Sequence, residues 1–155
     1  MRRRAAVRRA VMPDAKYGSV LVTRFTNYVM LDGKKSLTER AIYGALTDIG
    51  DKLKKDSIEL FGELIEKITP KIEVRPKRIG GATYQIPVEV YDRRGTALAL
   101  KWLTYAIRKQ SGKTLSEKIV KSLMEIHNNT GWAFKKKEEV FRMAEANKAF
   151  AFYSW

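Results

Sequence analysis

Arg94, Lys101 and Arg108 recur every seven residues. On a helix that spacing drifts by only about 20° per step, so the three cations share one narrow stripe with no acid in it. Such a row neutralises phosphates, and each phosphate neutralised steepens the salt dependence of binding. Other cations cluster in the same way: Arg2, Arg3, Arg4, Arg8 and Arg9 form an acid-free arm, Lys34-Lys35 follows a turn, and Lys77-Arg78 stands just before Gly80-Gly81. The chain has 31 Lys+Arg against 17 Asp+Glu, a formal net charge of +14 and a pI near 10. Residues 1–35 carry +7, 36–69 carry −2, 71–113 carry +7 and 114–155 carry +2. Solubilising charge is mixed in sign along a chain, and this regional basicity indicates a binding face for a polyanion instead. Nucleic acid is the first candidate and an anionic membrane the second.

Other chemistries lack parts. Ser111-Gly112-Lys113-Thr114 resembles the end of a phosphate-binding loop, but the first glycine of that motif falls on Ile107 and a helix precedes it where a strand is needed. His127 is the only histidine and there is no cysteine, so disulfides, thiol catalysis and cysteine-zinc sites are excluded and a metal centre or catalytic dyad lacks partners. Glu138-Glu139 after Lys135-Lys136-Lys137 reads as acid at the positive end of a helix dipole. No cofactor or small-molecule substrate is implied. No apolar run is long enough to span a membrane, and the apolar stripes of the helices are needed for a core. The arginine-rich N-terminus has no apolar stretch of signal-peptide length, although it has the composition of an organelle transit remnant. Trp102 and Trp132 fit a core better than a stacking role, with Tyr153 and Trp155 more open to bases.

The elements that position these groups follow from periodicity. Val20, Leu21, Phe25, Tyr28 and Val29 predict a first helix over 19–31, stopped by Asp32-Gly33. Ser36-Leu37-Thr38-Glu39 reads as a capping box opening a second helix to about Lys54, with Ile42, Leu46, Ile49 and Leu53 on one face. Asp56 or Ser57 caps a third, bearing Ile58, Phe61, Leu64, Ile65 and Ile68 inside and Glu59, Glu63 and Glu66 outside, until Pro70. A fourth helix covers 93–110, with Leu98, Trp102 and Tyr105 as its apolar stripe. Thr114 and Glu117 box a fifth to about His127, and a sixth runs from near Lys136 towards the C-terminus. The fold is mainly α: a single domain over 1–155 of about six helices, with one protruding two-stranded hairpin over 71–91 and a flexible basic arm over 1–13.

For the hairpin, a three-residue loop Gly80-Gly81-Ala82 pairs Ile72 with Val90, Val74 with Val88 and Pro76 with Ile86, and sets Glu73 opposite Glu89. A two-residue Gly80-Gly81 turn places Val88 opposite Glu73 and Ile86 opposite Arg75, mixing the faces. The longer loop is the expectation.

GKKS (33–36), RIGGATYQIPVEV (78–90), ALALKWL (97–103) and KKKEEVFRMAEANKAFAFYSW (135–155) resemble the bacterial type of small ribosomal subunit protein seven, in order and over essentially the whole chain. The resemblance implies a structural, non-catalytic protein of the cytoplasmic small ribosomal subunit. It would bind the three-prime domain of the small-subunit rRNA, nucleate assembly of the subunit head and contribute to the exit site for tRNA and the mRNA exit path. Lys34, Lys35, Arg75, Arg78, Arg93 and Arg94, with the arm, fall in matching motifs and would face rRNA; Lys101 and Arg108 join them from the helical stripe. Lys77, Arg78, Gly80, Gly81 and Thr83 would lie near exit-site tRNA and mRNA, as would Arg142, Lys148 and Tyr153, with neighbouring head proteins and ribosomal protein eleven close by. Some members repress their own message.

The chain departs from the family pattern at Val90-Tyr91-Asp92, where Val-Arg-Pro is common, and at Phe152-Tyr153-Ser154-Trp155, where His-Tyr-Arg-Trp is common. Both changes remove cations, and they raise an unusual lineage or an organellar ribosome as the host. The competing reading from composition is an architectural DNA-binding protein with a basic β-arm, but such arms carry an apolar wedge at the tip and this tip is glycine.

Overall fold

The computed structural model describes residues 9–153. Six α-helices alternate with one hairpin: α1 Val20–Val29, α2 Lys35–Leu53, α3 Ser57–Ile68, β1 Ile72–Ile79, β2 Ala82–Glu89, α4 Asp92–Lys109, α5 Leu115–His127 and α6 Gly131–Ala146, followed by a 3-10 helix over Lys148–Tyr153. All six helices place buried side chains in one apolar cluster. Phe25 and Phe61 lie at its centre with ring centroids 5.2 Å apart. Ile42, Leu46 and Ile49 of α2 and Phe61, Leu64, Ile65 and Ile68 of α3 are buried as their periodicity predicts. Asp56 caps α3, accepting from the backbone N–H of Ile58 and Glu59 at 3.0 Å, and Thr114 caps α5 through Glu117 N–H at 3.2 Å.

The predicted capping box at Ser36–Glu39 does not form. Helix α2 starts one residue earlier, at Lys35, with no side-chain cap. Asp32 and Gly33, both at positive φ, turn the chain into the helix, and Glu39 pairs with Lys35 at 3.6 Å one turn away. Helix α6 starts at Gly131, not near Lys136, because Ala133 is buried and Trp132 and Phe134 pack on the core. Tertiary burial thus extends the helix beyond its local pattern, and Glu138-Glu139 lie inside it, away from the dipole end. In α4 the buried stripe is Gly95, Ala99, Leu100, Leu103, Ala106 and Ile107, displaced from the predicted one; Leu98 and Trp102 are half-buried and Tyr105 is exposed.

The hairpin adopts the two-residue turn, with Glu73 opposite Val88, Arg75 opposite Ile86 and Lys77 opposite Tyr84. Gly80 and Gly81 have φ of 56° and 89°, and positive φ at both positions is what the turn matching right-handed strand twist requires. The three-residue alternative would ask Ala82 to adopt a left-handed conformation, which costs a residue with a Cβ more than it costs glycine. The register sets Glu73 opposite Val88, and Glu73 is buried.

Gly95 lets α4 approach the link between α3 and β1. A Cβ there would stand 2.8 Å from Thr69 Cγ2 and 3.3 Å from the Pro70 carbonyl oxygen, and Thr69 cannot rotate freely because its hydroxyl donates to Ile65 O at 2.7 Å. Gly95→Ala is therefore expected to destabilise the fold by about 1–3 kcal/mol. Gly62→Ala in α3, where a Cβ meets nothing within 4 Å, should stabilise it by about 0.5–1 kcal/mol. Denaturant unfolding of the two variants beside the parent checks the opposite signs.

Candidate nucleic-acid interface

Glu73 joins the hairpin to α4. Its carboxylate accepts Arg75 Nε at 2.6 Å, and Arg94 Nε reaches both carboxylate oxygens at 2.9 Å. Glu73 is buried while the two arginine side chains are half-exposed. The buried acid therefore anchors both guanidinium groups and leaves their outer faces in solvent, with one net positive charge on the trio. Arg93 is exposed beside Arg94, and Lys101 and Arg108 are exposed further along α4. Glu73 thus brings Arg75 beside Arg94, the first residue of the seven-spaced set on α4.

A second set meets at the other end of α4. Lys34 and Arg108 line one cleft of about 370 Å³ whose walls include Leu31, Leu37 and Leu115. Lys118, from the first turns of α5, is a third cation there that sequence reasoning missed; its place three residues beyond the Thr114 cap's first helical residue was the available signal. Asp32 lies 4.0 Å from Lys34, and Lys35 is paired with Glu39.

The tip set divides. Lys77 and Arg78, adjacent on β1, point to opposite faces of the hairpin. Arg78 is exposed, while Lys77 is half-buried and donates to the carbonyl oxygen of Tyr153 at 3.2 Å. Opposite Lys77, Tyr84 packs on Phe150 and Tyr153 with ring centroids 5.2 and 5.9 Å away, and Phe152 lies 4.0 Å from Tyr153. The hairpin accordingly leans on the chain's 3-10 helix. Lys77 and Tyr153 come together; Gly80, Gly81 and Thr83 are exposed at the tip, and Arg142 and Lys148 are exposed on and after α6. Trp102 and Trp132 pack on the core, and the Trp132 ring lies tilted against Tyr105 at a centroid distance of 4.3 Å; the Tyr105 ring also lies 4.6 Å from Lys109 Nζ. Of the basic arm, Arg9 is exposed; Arg2, Arg3, Arg4 and Arg8, like Trp155, lie outside the described residues.

The base of the arm is fixed by Asp14. Its buried side chain accepts the Tyr43 hydroxyl at 2.5 Å and the backbone N–H of Lys16 and Tyr17 at 3.1 and 3.0 Å. Burial alone would raise the Asp14 carboxyl, but the hydrogen bonds from Tyr43 and the backbone outweigh it and hold it below its ordinary value. The same bond to Asp14, aided by burial, pushes the Tyr43 phenol up to about 12. Among the described residues no helix is long and apolar enough to cross a membrane, and no three His, Cys, Asp or Glu side chains gather as a metal site.

The family model for ribosomal protein S7p/S5e matches residues 1–148. The chain is 50% identical over 155 residues to the small ribosomal subunit protein uS7 of Thermotoga neapolitana, covering the whole of both chains. It is 52% identical to that of Fervidobacterium nodosum and 51% to that of Sulfurimonas denitrificans, again end to end.

The Asp14–Tyr43 pair sets a pH signature. Asp14 titrates lower in the folded chain than unfolded, so its contribution is complete above about pH 4 and fades as pH falls through the lowered value. Tyr43 titrates higher when folded, so its share is complete below about pH 10 and fades as pH rises towards 12. Tyr43→Phe is expected to cost about 1–2 kcal/mol at neutral pH. That deficit should shrink at both extremes; thermal melts from about pH 2 to 12 would refute the assignment if the deficit stayed constant.

Proposed function

The chain belongs to the family of ribosomal proteins S7p/S5e, and from that premise we propose that it binds the three-prime domain of small-subunit rRNA, nucleates assembly of the subunit head and contributes to the exit site for tRNA and the mRNA exit path. Its role is structural, in the cytoplasmic small subunit, and the chain acts as one RNA-binding domain over 1–155 with residues 1–13 as a basic arm. The observation that carries this reading is the exposed row Arg94, Lys101 and Arg108 on α4, extended onto the hairpin by Arg75 through Glu73.

Scattered cations on a helical face and a hairpin suit folded RNA, whose phosphates follow an irregular path, better than a regular duplex groove. Arg2, Arg3, Arg4, Arg8 and Arg9 add arm contacts, Lys34, Lys35 and Arg108 contact rRNA at the far end of α4, and Arg78 and Arg93 near the hairpin. The glycine tip with Lys77, Arg78 and Thr83, together with Arg142, Lys148 and Tyr153, serves the exit site; neighbouring head proteins and ribosomal protein eleven lie alongside. An architectural DNA-binding arm would need an apolar wedge where Gly80 and Gly81 stand.

Equilibrium binding to the three-prime domain across a salt series, against an unrelated RNA of equal length and duplex DNA, tests the proposal. A preference of ~10³-fold or more is expected. Lys101→Ala and Arg108→Ala should each weaken binding and lower the salt slope by about 1. Equal affinity for all three nucleic acids, collapsing together with salt, would overturn the specific reading.

A further inference from the structure

Two clefts run together between α6 and the base of the hairpin, with volumes of about 380 and 320 Å³, and share Ile72 and Phe141. Their floor is apolar: Ile72, Pro87, Val88, Phe134 and Phe141. Phe141 is 54% exposed at the junction, a large aromatic area left in water on a helix whose other side is packed. A third cleft of about 700 Å³ continues past Pro70 and Lys71 beneath α3 and the start of α4.

The rim differs in charge from the rest of the molecule. Glu66, Glu89, Glu138 and Glu145 stand along the first two clefts, with Lys71, Lys137 and Lys148 between them, and Asp92 adds an acid in the third. None of those four glutamates is in an ion pair among the described residues. In a chain of net charge +14 this is a concave surface where acids outnumber bases. None of the cations assigned to rRNA lines it; Lys148 alone is shared with the exit-site set.

A polyanion is disfavoured where carboxylates outnumber cations beside an aromatic floor, whereas a peptide with alternating apolar and cationic side chains satisfies both features. We propose that the groove between α6 and the hairpin base docks a basic segment of another protein, punctuated by apolar side chains that cover Phe141 and Ile72. Phe141 is the central anchor, where aromatic residues concentrate interface energy, and Glu138 and Glu145 select for cations. This surface is separate from the α4 row and does not depend on the identity of the RNA that row binds.

The probe is a synthetic peptide of about twelve residues alternating Leu with Lys, read by fluorescence anisotropy and by backbone amide shifts of the full-length protein; a Leu–Glu peptide and a Lys–Ser peptide serve as controls. Shifts are expected at Ile72, Val88, Phe134 and Phe141. Phe141→Ser and the double variant Glu138→Gln with Glu145→Gln should each weaken the Leu–Lys peptide by tenfold or more, with the preference for the rRNA domain over unrelated RNA unchanged. Equal binding of either control, shifts confined to other surfaces, or full affinity in both variants would overturn the proposal. Displacement of the peptide by an RNA fragment that itself shifts Phe134 and Phe141 would also overturn it, in favour of RNA as the occupant. Loss of rRNA binding by the parent would instead count against the RNA reading alone.

Discussion

The geometry of the proposed RNA surface depends on one buried carboxylate. Glu73 sits in the hairpin base with a residue exposure of 7% and is bonded to Arg75 on its own strand and to Arg94 on α4. A carboxylate so buried is costly without partners, and two guanidinium groups satisfy it. Because both arginine side chains are about half-exposed while the carboxylate is buried, solvent screens the pairing only in part, leaving it weaker than a fully buried ion pair and stronger than an exposed one. Arg94 begins the seven-spaced cationic row, so fixing it to the hairpin ties the first cation of that row to Arg75 on β1.

The other end of the hairpin is held by different physics. Tyr84 on Phe150 and Tyr153, with Lys77 on the Tyr153 carbonyl, gives a two-stranded ribbon the packing layer it needs, since such a ribbon is marginal alone. Aromatic packing at the tip and ion pairing at the base leave Gly80 and Gly81 as a slim exposed end. The same arrangement leaves the apolar groove along α6, whose acidic rim lies apart from the cationic row of α4.

Much of this was legible in the sequence because it is local. The stripes of α2 and α3, the Asp56 and Thr114 caps and the exposure of Arg94, Lys101 and Arg108 follow from helical periodicity and short-range hydrogen bonding. The hairpin register was not legible, because face alternation argued for keeping Glu73 on the solvent side and only the fold supplies Arg94 to compensate an inward acid. The start of α6 was hidden for a related reason: the stretch 128–131 reads as a break, and the helix is seen to begin at Gly131 only once Ala133 and Trp132 have a core to pack against. Lys118 joined the cleft with Lys34 and Arg108 through tertiary packing alone. Sequence resemblance, by contrast, identified the family directly, and the end-to-end relatives agree with it.

The most direct test of the account is the coupling between Glu73 and Arg94, measured by denaturant unfolding of Glu73→Gln, Arg94→Gln and the double variant. The two residues are predicted to be coupled by roughly 1–2 kcal/mol, more than the few tenths typical of an exposed pair. Strictly additive effects would contradict it, showing that the hairpin and α4 hold their relative positions without the buried carboxylate.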